Sequence, residues 1–447
     1  MNDLLLKVVE AFQWFISWPL ILYVASISLI YTVALRGIQI RRFWDAWKIT
    51  LFPARETAAK VGGAATTPIQ AFINTLSTGV GNGSLAGMAT AIYAGGPGAA
   101  FWVLVFGVLL MGIRFAEVYT SVLFAARSQG KKTLLGGPML YLNSVPGGRI
   151  LAYIYAIACL GLGLSLGSCM QANSIAVAIH TTWGTNVYFI AGALLLFILY
   201  VLFGGAQRVS QVTSKLVPLN LAVFFVATFS LLCFHYQALF AALHLITISA
   251  FTPVAAIGGV LGFSVQQAIR LGMARSVMAT ESGLGSAAIL FGFTGSHAPV
   301  QDALMSMLGT FISSIICFLV ALCIVVSGVW TTGLNGTALT CAAFNTVFCA
   351  TGGYIVSFLS LTFGISVMVG YVYISRATWL FLTNGRWPFA FIILYASSVA
   401  IGALIEVRSV WAAAEVVTAV MLLINLFGLL WLLPEVRRCL ARDEKKS

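Results

Sequence analysis

Charge is what this 447-residue sequence has least of. Only 8% of its residues are charged and twelve are acidic, against 60% hydrophobic residues and a mean hydropathy of +1.00. That balance excludes a soluble globular protein, because so little polar surface cannot face water. Histidine is equally scarce: His180, His235, His244 and His297 fall at the ends of apolar runs or between them. No His-Glu-x-x-His, no pair of intramembrane aspartates and no Cys-x-x-Cys occurs. These absences remove zinc and thiol-redox chemistry and leave no catalytic group set, so an enzyme is not expected and no cofactor is called for. Most of the eight cysteines sit in apolar stretches as small hydrophobes, while Cys341 and Cys349 share one loop where pairing is open to them.

What is abundant is the long apolar run. Runs of about 17 or more mostly apolar residues predict an all-α integral membrane protein of about eleven transmembrane helices. They lie near 13–35, 70–93, 98–126, 150–180, 186–203, 212–234, 250–270, 300–328, 354–381, 388–405 and 411–433. The net charge of +12 does not point to nucleic acid, because the basic residues sort by membrane side. All but Lys7, Arg114 and Arg408 fall in alternate gaps, among them Arg270, Arg275 and the tail residues Arg437 to Lys446. The positive-inside rule then puts the amino terminus outside and the carboxyl terminus in the cytoplasm. Between the first two spans, Phe43, Trp44, Trp47 and Phe52 interleave with Arg and Lys, which predicts a helix lying in the interface over 36–60. Arg114 and Glu117, three apart on one helical face, read as an intrahelical ion pair in preference to a proton relay.

The second span carries the clearest anomaly. In Asn74-Thr-Leu-Ser-Thr-Gly-Val-Gly-Asn-Gly-Ser-Leu-Ala-Gly87, Gly79, Gly81 and Gly83 alternate, and each costs roughly 1 kcal/mol against alanine in a helix interior. A membrane helix broken at mid-depth exposes amides and carbonyls, the usual construction of a transporter binding site. Span seven repeats the pattern with Pro253 and Gly258-Gly259. Two broken helices five spans apart, entering from opposite faces, predict inverted five-helix repeats at 67–235 and 249–434. Residues 1–66 form an extra leading helix with its interfacial segment, and 435–447 a cytoplasmic tail. Gln171 on span four reads equally as interhelical glue or as a ligand contact.

Several motifs give the chain a family. Gly79-Val-Gly-Asn-Gly-Ser-Leu-Ala-Gly87, Gly95-Gly-Pro-Gly-Ala-Ala-Phe-Trp102, Gly136-Gly-Pro-Met139, Gln171-Ala-Asn-Ser174, Ala268-Ile-Arg-Leu-Gly-Met-Ala-Arg275 and Glu281-Ser-Gly-Leu-Gly-Ser286 resemble those of the bacterial alanine/glycine:cation symporters, in order along nearly the whole chain. The resemblance implies the fold of the sodium-coupled leucine transporter with one extra leading helix, residence in a bacterial inner membrane, and import of alanine or glycine with sodium. It places Gln171, the Gly258-Gly259 break and an aromatic on span nine around the ligand. Where that family has tryptophan, this chain has Tyr371, and Val367, Arg376 and Thr280 are further departures.

The residues themselves suggest the division of labour. Amides near Thr78, Gly79 and Gly81, at the start of a half-helix, suit a substrate carboxylate. Oxygens of Thr75, Thr78 and Asn82, joined by Thr362 and Ser366 one turn apart on span nine, suit sodium. No acidic residue is placed near either break, which favours sodium over a proton, and the want of a buried Arg, Lys, Asp or Glu favours a small neutral amino acid. A monomer in the lipid bilayer is expected. The alternatives are a proton-coupled permease, a carrier of altered substrate, a channel, or a transporter-like sensor, the last disfavoured by the short tail.

Overall fold

A computed structural model describes residues 2–52, 66–128, 136–253, 264–349, 351–405 and 407–443, and they are helical almost throughout. Helices follow from the composition, since lipid offers no hydrogen bonds and each backbone group must find its partner within its own segment. The chain opens with α1 (Asn2–Ala34) and turns into the short α2 (Ile38–Arg41) and α3 (Phe43–Leu51). The predicted interfacial stretch thus begins as two short helices. Ile40, Trp44 and Phe52 are exposed, and Phe43 packs edge-on against Phe311 at 5.0 Å.

Two half-helices follow, α4 (Pro68–Gly79) and α5 (Asn82–Gly95), then α6 (Gly98–Arg127) and the short α7 (Pro138–Tyr141). Next come α8 (Gly148–Leu164) and α9 (Met170–Trp183), joined by a π-helical turn at Ser165–Cys169. The 48-residue α10 (Val187–Phe234) is two arms, because Gly205 at φ 59° and ψ −156° breaks it between the spans expected at 186–203 and 212–234. The remainder is α11 (Tyr236–Ser249), α12 (Val265–Thr280), α13 (Ser286–Gly292), α14 (Pro299–Val326), α15 (Gly336–Phe348), α16 (Thr351–Thr383), α17 (Pro388–Leu404) and α18 (Val407–Asp443). Among the described residues, six helical stretches are long and apolar enough to cross a membrane, with Trp18–Ala34, Tyr236–Ser249 and Pro388–Leu404 as shorter apolar helices. At the centre α6 packs along α14 and α12, while α1 is tied to α18 by the Tyr31 hydroxyl on the Leu429 carbonyl at 2.7 Å. Cys341, on α15, and Cys349, at its end, are both free thiols.

The seventh expected span is displaced. Phe251–Pro253 ends the helix before it, residues 254–263 with Gly258 and Gly259 lie outside the described residues, and the next helix runs from Val265 to Thr280 and resumes at Ser286. This α12 lies antiparallel to α5, with Gly79 against Ala279, Gly87 against Arg275 and Gly95 against Leu271. Arg270 and Arg275, expected in a basic loop, therefore sit on a packed helix beside α5. Packing on α5 and α6 accounts for the arginines: α12 touches protein where a lipid-facing helix would have to be apolar, and it carries Arg270 and Arg275 half-buried, while Gln266 and Gln267 at its capped start are exposed.

Candidate functional site

The first interruption forms where the glycines predict it. Thr67 caps α4 in a reciprocal box, its hydroxyl accepting from Gln70 N at 3.2 Å while Gln70 Oε1 accepts from Thr67 N at 3.0 Å, with Pro68 at the first helical position. The helix ends at Gly79; Val80 (φ −93°, ψ 93°) and Gly81 (φ −136°, ψ −165°) are extended, and α5 restarts at Asn82. The amides opening α5 have no carbonyl one turn back, and they carry the positive end of its dipole. Glycine is needed at both flanks for contact. A Cβ on Gly79 would lie 2.9 Å from the Ala279 carbonyl oxygen, and one on Gly81 would lie 2.5 Å from Val367 Cγ2 and 3.7 Å from Gln171 Oε1.

Gln171 is thereby brought to the break. Its Nε2 donates to the Leu166 carbonyl at 3.2 Å, inside the π-helical turn, and its buried Oε1 has no partner. Asn82 Nδ2 is likewise buried and unpartnered. Buried polar atoms are normally satisfied, so two orphans at one break mark a place for a ligand. A cavity of about 1050 Å³ lined by Ala86, Thr90, Ser174 and Arg275 descends to within one helical turn of both.

The second interruption lies at Glu281–Gly285, between α12 and α13. Ser264 caps α12 with the same reciprocal box, to Gln267 at 3.1 and 3.0 Å. Glu281, Gly283 and Gly285 then take positive φ (53°, 91° and 82°), turning the chain into α13. Two expectations are overturned here. Acidic residues were not placed near a break, yet buried Glu281 accepts from Thr78 Oγ1 at 3.0 Å, Ser286 Oγ at 2.7 Å and the Tyr371 hydroxyl at 2.5 Å. Nor is the site free of buried charge. Arg114 Nη2 donates to the Thr280 carbonyl, and Glu117 Oε1 accepts from Gly285 N at 3.0 Å and Asn425 Nδ2 at 2.7 Å. Arg114 and Glu117 do pair, at 3.8 Å, but as supports of this loop. Tyr371 is fully buried against Gly163 and Gly167, its ring stacked into the helix bundle and its hydroxyl on Glu281.

The residues expected around a cation are only partly assembled. A cavity of about 10 Å³, roughly the room for one water-sized ion, is lined by Leu76, Ser77, Val80, Asn220 and Ser366. Ser77 Oγ donates to the Ser366 carbonyl at 2.5 Å, Asn220 Nδ2 donates to Ser366 Oγ at 3.0 Å, and Asn220 Oδ1 has no partner. Thr75 and Thr362 do not line it; each hydroxyl bonds the carbonyl four residues back, at 2.9 Å. The sequence attaches no site role to Glu281, Asn220 or Ser77, although Glu281 opens one of the family-like motifs and Ser77 lies in the glycine-rich stretch. Asn220, a lone amide in the apolar run after Pro218, is the available signal; Ser77 has none beyond its place beside the break.

Comparison with known proteins gives the arrangement its context. The model of the sodium:alanine symporter family matches residues 2–447. The chain belongs to the sodium:alanine symporter family. Among its relatives, an uncharacterized transporter of Haemophilus influenzae is 30% identical over 96% of this chain and 93% of its own length. The sodium/alanine symporter AgcS of Methanococcus maripaludis is 29% identical over 81% of each chain, and the probable sodium/glutamine symporter GlnT of Bacillus subtilis 26% identical over 92% of this chain and 84% of its own. In solved structures the fold resembles the Eremococcus coleocola manganese transporter, with a TM-score of 0.50 at 10% identity, covering 84% of this chain and 80% of the other. Membership of the sodium:alanine symporter family, with the long apolar helices, makes the chain a multi-pass membrane transporter of the cation-coupled amino-acid type.

Proposed function

We propose that this chain imports small neutral amino acids, alanine or glycine in L or D form, together with sodium, by alternating access around its two paired interruptions. The observation that carries the reading is that two antiparallel broken helices meet at their breaks beside Gln171 Oε1 and Asn82 Nδ2, buried and without partners. A carboxylate suits the opening amides of α5, and Gln171 and Asn82 supply an acceptor and a donor for the rest of the backbone zwitterion. Val367 pressed against Gly81 leaves little space for a side chain, which favours a small one. Sodium, a hard cation that seeks oxygen, suits Ser77, Asn220 Oδ1 and Ser366, and the names of AgcS and GlnT support that ion. Eleven spans, two inverted repeats after the leading α1, an external amino terminus, a cytoplasmic carboxyl terminus and action as a monomer belong to the same reading.

Proteoliposomes holding the purified chain should accumulate radiolabelled alanine or glycine only under an inward sodium gradient. A proton-coupled permease is the second reading, and Glu281 at the break favours it. Uptake driven equally by a pH gradient without sodium would replace the first reading by the second. A competition panel of small L- and D-amino acids fixes the substrate.

A further inference from the structure

Resting on the sodium-symport reading, the charges around the two breaks do not balance without one more residue. An amino acid enters as a zwitterion of zero net charge, so a sodium ion beside it leaves the loaded site with one positive charge. Burying an uncompensated ion costs several kcal/mol in a low-dielectric interior. Arg114 and Glu117 cancel one another. Asp302, also buried on α14, is eight residues from the Thr310 that touches Arg114, about 12 Å along the helix. Arg275, six residues before Glu281 on α12, lies next to Gly87 and faces the opposite charge of Glu415. The group left at the breaks is Glu281.

We infer that Glu281 supplies the fixed negative charge that balances the cotransported cation. Its three partners are the hydroxyls of Thr78, Ser286 and Tyr371, each able to donate to a carboxylate ion, and the Thr78 hydroxyl also lies 3.1 Å from the Thr75 carbonyl. Thr78 lies next to Ser77 of the small cavity beside Asn220 and Ser366 and next to Gly79 of the first break, so the charge acts one residue from both. Glu281 is thus a positioning residue for charge, held on one repeat and joined to the other through Thr78. The electrical consequence is specific. The carrier loaded with amino acid and sodium is neutral and crosses without sensing voltage, while the empty carrier returns with one negative charge and feels the membrane potential.

The test is amino-acid exchange in proteoliposomes with equal sodium on both sides, under an imposed potassium diffusion potential. Wild-type exchange, confined to the loaded form, should be unchanged between zero and about 100 mV. In Glu281→Gln the loaded form carries a net positive charge: exchange should change at least threefold over the same range, and the half-saturating sodium concentration should rise at least tenfold. Tyr371→Phe and Thr78→Val keep the carboxylate and should remain voltage-insensitive in exchange, whatever they do to rate; they and the wild type test the idea even if Glu281→Gln does not fold. Voltage-sensitive wild-type exchange, or a Glu281→Gln carrier with wild-type sodium and voltage profiles, overturns the inference. Wild-type protein that takes up no amino acid on a sodium gradient overturns instead the transport reading beneath it.

Discussion

A single methyl group at Gly81 probes the first break at its tightest point. Its Cβ would stand 2.5 Å from Val367 Cγ2 and 3.7 Å from Gln171 Oε1. Carbon atoms settle at about 3.5–4.0 Å, so the break and α16 must part by about 1 Å. Val367 is buried and cannot swing aside cheaply, because a β-branched side chain within a helix has one strongly preferred rotamer. The Gly81 backbone, at φ −136° and ψ −165°, is extended and open to any residue, so the whole cost is steric. Overpacking of this kind costs about 1–3 kcal/mol, equivalent to roughly a 5- to 150-fold loss. Uptake by Gly81→Ala at subsaturating amino acid should fall within that range while the protein stays monodisperse on size exclusion. Adding Val367→Ala removes the opposing methyl and should restore most of the activity. Wild-type uptake by Gly81→Ala, or no rescue in the double variant, refutes the placement of the break against α16.

Other positions yield shorter tests. Gln171→Leu removes an acceptor that has no partner in the protein together with the Nε2 bond to the Leu166 carbonyl, so stability should fall by about 1–3 kcal/mol while amino-acid affinity, read by competition on the folded protein, drops about tenfold or more, as for a hydrogen bond to a charged group. Asn220→Leu should raise the half-saturating sodium concentration with little change in the amino-acid KM measured at saturating sodium; an unchanged sodium curve removes Asn220 from the ion site. Arg114→Met leaves Glu117 buried without its counter-ion, and destabilisation of about 3–5 kcal/mol should appear as a clear fall in the unfolding temperature. Gly98→Ala drives a Cβ to 2.7 Å from the Ala250 backbone nitrogen and should cost stability without a specific effect on the sodium dependence of the folded fraction.

The two breaks differ sharply in how well the sequence announces them. The first is written in glycines inside an apolar run, where nothing else accounts for them, and it forms at Val80–Gly81. The second is hidden because its helix begins with the exposed Gln266 and Gln267 and then carries Arg270 and Arg275 half-buried against neighbouring helices, so hydropathy passes over it and settles on the more apolar stretch before it. Glu281 then falls in an apparent loop, although Gly283 and Gly285 beside it carry the same signal as the first break. Gln171 is legible as a polar residue among small ones, but only packing shows that its oxygen faces Gly81. Tyr371 is the opposite case: an aromatic expected over the ligand turns inward, because Gly163 on α8 and Gly167 in the π-helical turn leave room for its ring.

The matching caps at Thr67 and Ser264 have a mechanical consequence. Each reciprocal box locks the outer end of a broken helix, so bending is concentrated at the break and the segment between moves as a stiff rod. The rods are 12 and 16 residues long, or about 18 and 24 Å. A tilt of about 10° at the breaks therefore sweeps the capped ends through roughly 3 and 4 Å, in opposite directions at opposite faces, since the rods are antiparallel. One small hinge at the centre is geared into two larger displacements at the surfaces, so that a single rotation can narrow one entrance while it widens the other.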